Sequence, residues 1–472
     1  MKGKLLQKLL LSGMGVVIIH TSSLAQVSLT GQIRTRTELR DGQGTLPAKD
    51  AKASFFTTQR TRLNLGYAAE RFRFLTSVQE VRVWGSDQST ISNLEGSKFF
   101  LHQAWGELIL SDSVTIKVDN LSVKAGRQEI IYDDSRLLGN LDWLQQARRH
   151  DAVVIRFSHK GWIADAGFAF NQNHGQDTPN KSGSLYNGIP TAPVVPGTNG
   201  IGMLYKSMQY GYFARTGKLG KASLLFFKDD FQKTTTVENT TTFVPGVNSR
   251  VTVGAAVFAT PSEHIKLTSA AYYQGNQDKL GNPLEAYNVT AAAAFKVYKF
   301  TTNPGFDFLS GNNTARQGKV NRRFDPLYGT PHKFWGMMDY FYAADQFGVD
   351  GSLSRSPGLL DIYLKNTFAA KENLVFTLDL HEFYAGNKVA AATEGATAEK
   401  TAAGRLGTEI DFVVNYNILK NVNIEAGYAT MLGTTTLDLL KAPAANKQNT
   451  GQWAYLMLNF APDFLAKANP GK

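Results

Sequence analysis

The chain has 472 residues, no cysteine and a formal net charge of +11. Without cysteine, an exported form cannot use disulfides and must be held together by a large core or a closed sheet. No segment offers the ~18–20 unbroken apolar residues that a membrane-spanning helix needs.

The first 25 residues have the pattern of a secretory signal peptide. Residues 5–19 are mostly apolar, and small residues precede Gln26 at the two positions that a signal peptidase reads; the positive region before them holds Lys2, Lys4 and Lys8. A membrane anchor is the alternative, but the apolar stretch is short and is interrupted by glycine. Cleavage before Gln26 leaves 472 minus 25, or 447 residues, with a charge of +8.

The mature chain shows apolar and polar residues in alternation. The first strand-like segment sets Gln32, Arg34 and Arg36 on one face and Ile33 and Thr35 on the other. Because side chains on a strand alternate between faces, each such segment has one apolar and one polar face. No linker or change of composition divides residues 26–461, so we expect one large sheet there and a C-terminal tail over residues 462–472.

Eighteen strands are predicted in all. In chain order they cover residues 27–40, 55–69, 71–83, 99–110, 121–131, 150–159, 162–171, 201–216, 219–230, 249–260, 264–275, 285–298, 304–311, 358–370, 374–386, 404–417, 420–431 and 451–461. Short joints, such as those at Ser111-Asp112 and Lys160-Gly161, alternate with long polar segments, such as residues 171–200 and 231–248. This alternation is typical of an all-β transmembrane antiparallel barrel of the outer membrane, with short periplasmic turns and long extracellular loops.

Two segments need an explicit assignment. Residues 334–342 look like a strand, but counting them as one breaks the alternation of short and long joints, so we predict a single external loop from 312 to 358. The last strand ends at Phe460, an aromatic residue that suits a final barrel strand, although further residues follow it.

Many basic residues occupy strands rather than loops. If the apolar strand faces meet lipid, the arginines must point inward, because Lys or Arg at the bilayer midplane costs roughly 2–4 kcal/mol. The inward set predicted from the first three strands is Arg34, Arg36, Arg60, Arg62, Arg71, Arg73 and Arg82. Guanidinium groups bind carboxylates through two donors, which predicts an anion-preferring pore. The alternative is that the same arginines pair with residues such as Glu38, Glu80 and Glu107 as internal struts.

Residues 126–157 carry the most distinctive pattern. A strand that ends in Gly126-Arg127-Gln128 leads into a loop that mixes acidic and basic residues, and a second strand starts near His150. Such mixing suits a loop that folds inward and is held by salt bridges. Lys124 and Arg156, on the flanking strands, join the residues expected to line the constriction.

The same segment resembles the hallmark of the alginate export family of outer-membrane porins, with an Asp-x-Arg-Leu-Leu-Gly loop from Asp134 to Gly139, then Trp143 and a strand start at Asp151. Residues 304–313 and 324–341 are also similar to that family. The resemblance implies an eighteen-stranded barrel that passes an anionic polyuronate outward. By position it nominates Arg127, Arg136, Arg148 and Arg149 as lumen residues.

We therefore expect a passive outer-membrane channel for an anionic saccharide or another anionic solute. It needs no cofactor or metal, contacts outer-membrane lipid, is monomeric, and has possible periplasmic export partners. Alternatives are a general or solute-specific porin, an outer-membrane hydrolase and a loop-based adhesin. No Gly-x-Ser-x-Gly, His-Glu-x-x-His or Walker motif is present, and the mature histidines lack ligand spacing. Carboxylates at Asp41, Asp133-Asp134 and Asp229-Asp230 could bind Ca²⁺, but solvated loop carboxylates are commoner. Nucleic-acid binding is not expected, because strand-embedded arginines leave no exposed basic face.

Overall fold

The computed structural model is a closed antiparallel β-barrel of eighteen strands. The structure describes residues 26–86, 99–112, 114–170, 205–237, 240–316, 318–342, 347–348, 355–391, 401–441 and 447–466. The predicted signal peptide lies outside these residues.

The strands follow one another around the barrel. Their bounds are β1 Gln26–Asp41, β2 Ser54–Ala68, β3 Phe72–Val83, β4 Phe99–Ile109, β5 Asn120–Gln128, β6 His150–His159, β7 Trp162–Phe170, β8 Ser207–Gly217, β9 Gly220–Val237, β10 Thr240–Ser262, β11 Ile265–Gln277, β12 Pro283–Val297, β13 Phe300–Leu309, β14 Leu359–Lys371, β15 Leu374–Ala385, β16 Arg405–Leu419, β17 Val422–Gly433 and β18 Thr450–Phe460. A short helix, α1, covers Thr435–Leu440, and a single 3₁₀ turn covers Pro331–Lys333.

The barrel closes where β1 pairs with both β2 and β18. The register sets Ile33 opposite Phe460 of β18 and Thr61 of β2. Just beyond β18, the tail continues this pairing, since Gly31 donates its N–H to the carbonyl of Pro462 and Phe464 donates to that of Leu29. The closed ring leaves no free strand edge, which is the condition for a sheet to span a membrane.

All eighteen predicted strands are confirmed, as is the assignment of residues 334–342 to a loop. Two expectations about connections are wrong. Residues 231–248, predicted as a loop, mostly extend β9 and β10, which fits the β-branched threonines at residues 234–236 and 240–242. The joint predicted at Ser111-Asp112 is a longer turn over residues 110–119, in which Asp112 accepts N–H groups of Val114, Thr115 and Ile116.

The two faces of the sheet differ as the alternation predicts. On β3, for example, Phe72, Phe74 and Val78 face outward and are exposed, whereas Ser77 and Gln79 face inward and are fully buried. Exposed large apolar side chains recur on every strand except β5. An apolar outer band around a polar interior is the arrangement of outer-membrane barrels.

Two segments between strands fold into the barrel. We call residues 129–149, between β5 and β6, the first inward loop, and the described residues of 310–358, between β13 and β14, the second inward loop. They join through a parallel bridge between Leu138 and Tyr328, where Tyr328 donates its N–H to the carbonyl of Leu137. The second inward loop supplies most of the large buried side chains of the interior, among them Trp335, Tyr340 and Phe341. The core therefore lies inside the barrel and narrows its lumen.

Within the described residues, no helix is both long enough and apolar enough to cross a membrane.

Candidate functional site

Three arginines of β1 and β2 converge on one carboxylate of the first inward loop. Asp142 accepts from Nη1 of Arg34 at 3.1 Å and from Nη1 and Nη2 of Arg60 at 2.8 and 3.2 Å. Nη1 of Arg62 lies 3.8 Å from the same carboxylate. Arg34 and Arg60 are buried, whereas the Asp142 side chain keeps 40% of its surface. One carboxylate thus faces three guanidinium groups and stays in contact with the lumen.

Arg36, which lies on β1 as Arg34 does, is the fourth arginine of the cluster. Its Nε donates to Oε1 of Glu38 at 2.8 Å, its Nη1 donates to the carbonyl of Trp143 at 2.8 Å, and its guanidinium lies 4.2 Å from the centre of the Trp143 ring. We call Arg34, Arg36, Arg60 and Arg62 the basic wall. Their four positive charges are opposed by Asp142, Glu38 and Glu129, so the local charge remains positive.

The charges of the cluster change the pKa of Asp142. Burial raises the pKa of this carboxyl, but the hydrogen bonds from Arg60 and the charges of Arg60, Arg34 and Arg62 outweigh it and hold the pKa below its ordinary value. Asp142 is therefore ionised at neutral pH and fastens the first inward loop to the basic wall.

Two further arginines hold the inward loops together and do not line open space. Nη1 of Arg136 donates to Asp307 of β13 at 2.8 Å, and its guanidinium lies 4.1 Å from the ring of Phe334. Nη1 of Arg148 donates to the carbonyl of Gly329 at 2.5 Å. Burial lowers the pKa of Arg148 to about 10, so it remains charged at neutral pH. Both arginines are buried, so they act as struts between the loops.

The remaining inward basic residues are each engaged singly. Arg73 donates to Glu107 at 3.4 Å, and Arg156 donates from Nη2 to Asp165 at 2.6 Å. Nζ of Lys124 lies 4.0 Å from the centre of the Trp105 ring. The guanidinium of Arg149 lies 4.7 Å from the ring of Phe100.

Three nominated residues lie elsewhere. Arg71 sits at the turn between β2 and β3 and donates to the carbonyls of Ile109 and Leu110, so it belongs to the short-turn rim. Arg82 and Arg127 were expected inside, but they share the outward face of β3 with Val78 and of β5 with Val123. The reason is strand phase, because both lie an odd number of residues from inward neighbours such as Gln79 and Lys124.

The interior also carries an acidic wall that the sequence analysis did not identify. It lies on the inward faces of β13 to β17 and consists of Asp307, Asp361, Asp379, Glu409, Asp411 and Glu425. Basic partners reach three of them: Arg136 for Asp307, His381 for Asp361 and Lys365 for Asp379. Among the described residues, no basic side chain lies within 4 Å of Glu409, Asp411 or Glu425.

The acidic wall holds the second inward loop in place. Met338 donates its N–H to Oε1 of Glu409 at 2.7 Å, and Met337 donates to Oδ2 of Asp411 at 3.3 Å. A cavity of about 270 Å³ lies beside this contact, between the wall residues Asp379, Asp411 and Glu425 and the loop. Trp143, stacked on His332 at 4.2 Å, lines the cavity on the side of the basic wall. The lumen is therefore bipolar, with arginines on one side and carboxylates on the other.

Two of the carboxylates that the sequence offers as Ca²⁺ ligands bond to protein side chains instead. Asp133 accepts from the Tyr212 hydroxyl at 2.7 Å and lies 2.8 Å from Nζ of Lys221, and Asp229 pairs with Arg250. Over the part of the chain that the structure describes, no group of three or more His, Asp or Glu side chains has the arrangement of a metal site.

Residues 25–170 match the alginate export family model. The match runs from the first strand to the end of the seventh and contains the basic wall and the whole first inward loop. The resemblance to the alginate export family is thereby confirmed over this part of the chain.

Solved structures of Pseudomonas aeruginosa outer-membrane proteins share the fold of the whole barrel. OccK3 (OpdO) aligns with a TM-score of 0.56 and 11% identity, over 93% of this chain and 96% of that one. OpdK, solved with vanillate, aligns with a TM-score of 0.52 and 9% identity, over 93% of this chain and 99% of that one. OpdL aligns with a TM-score of 0.52 and 12% identity, over 93% and 99%. No curated protein sequence matches the chain.

The alginate export match and the porin fold place the protein in the outer membrane and indicate a channel, not an enzyme. The barrel is accordingly surrounded by membrane lipid, and a solute passes through it.

Proposed function

We propose that the protein is a passive outer-membrane channel for an anionic solute, with the basic wall as its selective element. The observation that carries the proposal is the convergence of Arg34, Arg60 and Arg62 on the single carboxylate of Asp142. Because positive charge exceeds negative charge there, an anion in the lumen has a favourable electrostatic environment and nearby guanidinium donors.

A uronate-rich polysaccharide is the cargo that the alginate export match supports. The match covers the segment that builds the basic wall and the first inward loop. Carboxylates spaced along a polymer would exchange with Asp142 as partners of the same guanidinium groups. A polysaccharide chain is wider than a small anion, however, and the two inward loops narrow the lumen. Passage of the polymer therefore requires the first inward loop to move.

A small anionic solute is the second candidate. OpdK, which shares the fold, was solved with vanillate, a small aromatic carboxylate. In this chain Arg34 and Arg60 are buried behind Asp142, so a small carboxylate reaches them by replacing the Asp142 carboxylate, which needs less displacement of the loops than the passage of a polymer. The acidic wall opposite would then orient the solute by repelling its carboxylate.

Block of single-channel current distinguishes the two cargos. The refolded barrel in a planar bilayer would be exposed to oligouronates of increasing length, to vanillate and to neutral oligosaccharides of the same lengths. A polyuronate channel shows block that strengthens with oligouronate length, whereas a small-anion channel responds to vanillate and not to length. Equal block by neutral and charged oligosaccharides would contradict both.

A further inference from the structure

The outward face of the barrel carries acid–base pairs. They lie toward the end of the barrel from which the long loops extend. They are Glu80 with Arg82, Arg127 with Asp151, Lys228 with Asp230, Glu285 with Arg322, and Glu382 with Arg405. We call this set the outer girdle. Lys228 and Asp230 lie nine and seven residues before the end of β9, whereas its other strand members lie within a few residues of the strand ends that lead into the long loops.

The direction of these side chains follows from strand phase. Arg127 shares a face of β5 with Val123, and Asp151 shares a face of β6 with Val153 and Ile155, both of which are exposed. Arg82 shares a face of β3 with Val78 in the same way. A basic residue on this face costs roughly 2–4 kcal/mol at the bilayer midplane and about 0–1 kcal/mol near the interface. The outer girdle therefore marks the level of the lipid headgroups.

Strands β3 to β6 bring two members of the girdle close together. Arg82 on β3 and Arg127 on β5 flank the outward residues Phe99 and Leu101 of β4, and Nη1 of Arg127 lies 3.4 Å from the carbonyl of Leu101. By register Arg127 lies opposite Ala104 of β4, whereas Arg82 lies two residues beyond Glu80, the partner of Phe99. Their Cα atoms are therefore offset along the strands, but the side chains turn toward each other, because Arg82 bonds Glu80 and Arg127 reaches the carbonyl of Leu101. We call Arg82, Phe99, Leu101 and Arg127 the β3–β5 patch.

The two arginines of the patch have N–H donors that their carboxylate partners do not use. Nε of Arg82 donates to Glu80 at 2.6 Å, and no described residue accepts a hydrogen bond from either Nη group of Arg82. Arg127 uses Nε and Nη2 for Asp151, at 2.8 and 2.9 Å. Both guanidinium groups remain exposed, at 47% and 38% of the side chain. Because a guanidinium has five N–H donors, each of these arginines can accept an anionic partner without releasing its carboxylate.

We propose that the β3–β5 patch binds the phosphate groups of an outer-leaflet glycolipid. Phosphate oxygens match the two-donor geometry of arginine, and the two guanidinium groups, which turn toward each other over Phe99 and Leu101, allow two phosphates on one headgroup to be bound together. Leu101, Val153 and Ile155, which are exposed below the arginines, provide an apolar surface for the acyl chains. Glu80 and Asp151 orient the guanidinium groups and keep the patch close to neutral, so binding depends on donor geometry more than on net charge. This inference rests on the outer-membrane location and is independent of the cargo.

Native mass spectrometry of the detergent-solubilised full-length barrel tests the proposal. The probes are diphosphorylated lipid A and the same lipid after removal of its phosphates. The test variant is Arg82→Gln/Arg127→Gln, and its matched control, Arg73→Gln/Arg156→Gln, removes two paired arginines from the inward face. Heat-modifiable migration in SDS gels verifies that each barrel is folded, and Arg82→Lys/Arg127→Lys serves as a charge-preserving second variant.

We expect diphosphorylated lipid A to bind the wild type and the inward control equally, and to bind the outward Gln variant roughly tenfold more weakly, as for the loss of charge-assisted hydrogen bonds. The Lys variant should retain part of the affinity. Equal binding of the phosphorylated and dephosphorylated lipids would overturn the proposal. So would equal weakening by the inward and outward variants, or occupation of the patch by a second barrel that excludes lipid.

Discussion

Asp142 accepts two hydrogen bonds from Arg60, from Nη1 at 2.8 Å and from Nη2 at 3.2 Å, and this pair joins the first inward loop to the barrel wall. The arginine is fully buried and the carboxylate is partly open to the lumen. An anion that enters the lumen therefore binds the arginines of β1 and β2 by replacing Asp142, the carboxylate that three of them share.

Asp142→Asn should loosen the first inward loop and strengthen anion preference. The substitution removes the only charge in the loop that faces three arginines, and it leaves buried guanidinium groups without a counter-charge, which is unfavourable. Single-channel recordings should show more frequent transitions between current levels and a larger share of current carried by chloride. Asp151→Asn, which breaks an outward pair with Arg127, should leave both quantities unchanged.

Acid should reproduce part of this effect. The pKa of Asp142 is held below its ordinary value in the folded protein. The stability that ionised Asp142 gives to the contact between the first inward loop and the basic wall is therefore complete above the ordinary carboxyl pKa of ~3.9. It is lost as pH falls below that value. We expect current transitions to become more frequent below about pH 4 in the wild type, and Asp142→Asn to show little change over the same range. The same acid response in both proteins would assign it to other carboxylates.

Gly329→Ala should separate the two inward loops. A Cβ at this position would lie 1.9 Å from the carbonyl oxygen of Arg136, at the point where Tyr328 pairs with the first inward loop. Backbone must move to relieve the clash, and we expect a loss of roughly 1–3 kcal/mol in the stability of this contact. Hydrogen exchange at the amides of Gly139 and Tyr328 should accelerate. Gly318→Ala, whose Cβ would meet no atom closer than 4.0 Å, is the matched control and should leave exchange unaltered.

Glu409→Gln/Asp411→Asn should move the channel toward anions. These carboxylates are two residues apart on the inward face of β16, and no basic side chain among the described residues lies within 4 Å of either. The two buried carboxyls contact each other, and their mutual repulsion leaves the pair with about one negative charge. Neutralising them removes that charge from the acidic wall while keeping acceptors for Met337 and Met338. The reversal potential in a salt gradient should shift toward that of chloride. Asp230→Asn on the outward face should have no such effect, and a shift of equal size there would argue against a role for the acidic wall.

The architecture was predictable because each strand carries its own signal. Alternation such as that from Gln32 to Arg40 sets one face toward lipid, and the regular change between short and long joints fixes the strand count. The same alternation placed Arg34, Arg36, Arg60 and Arg62 on one face. Strand phase was also sufficient to exclude Arg82 and Arg127 from the interior, since Arg73 and Lys124 lie on the opposite faces of the same strands.

The acidic wall was harder to foresee. Its members come singly from strands far apart in sequence, such as Asp307 and Glu425, and only the order of strands around the closed sheet brings them together. Glu409 and Asp411, with Ile410 between them, were the one local signal of that wall. The contact of Asp142 with Arg60 also depends on how the first inward loop folds, which no periodicity records.

The central claim is that the basic wall sets a preference for anions, and the reversal potential of Arg34→Gln/Arg60→Gln in a KCl gradient tests it most directly. The matched control is Arg405→Gln, which removes one positive charge from the outward face at the barrel rim. We predict an anion-selective wild type, an unchanged control and a double variant whose reversal potential moves toward zero or toward that of potassium. A double variant with the reversal potential of the wild type, or a wild type without anion preference, would contradict the account.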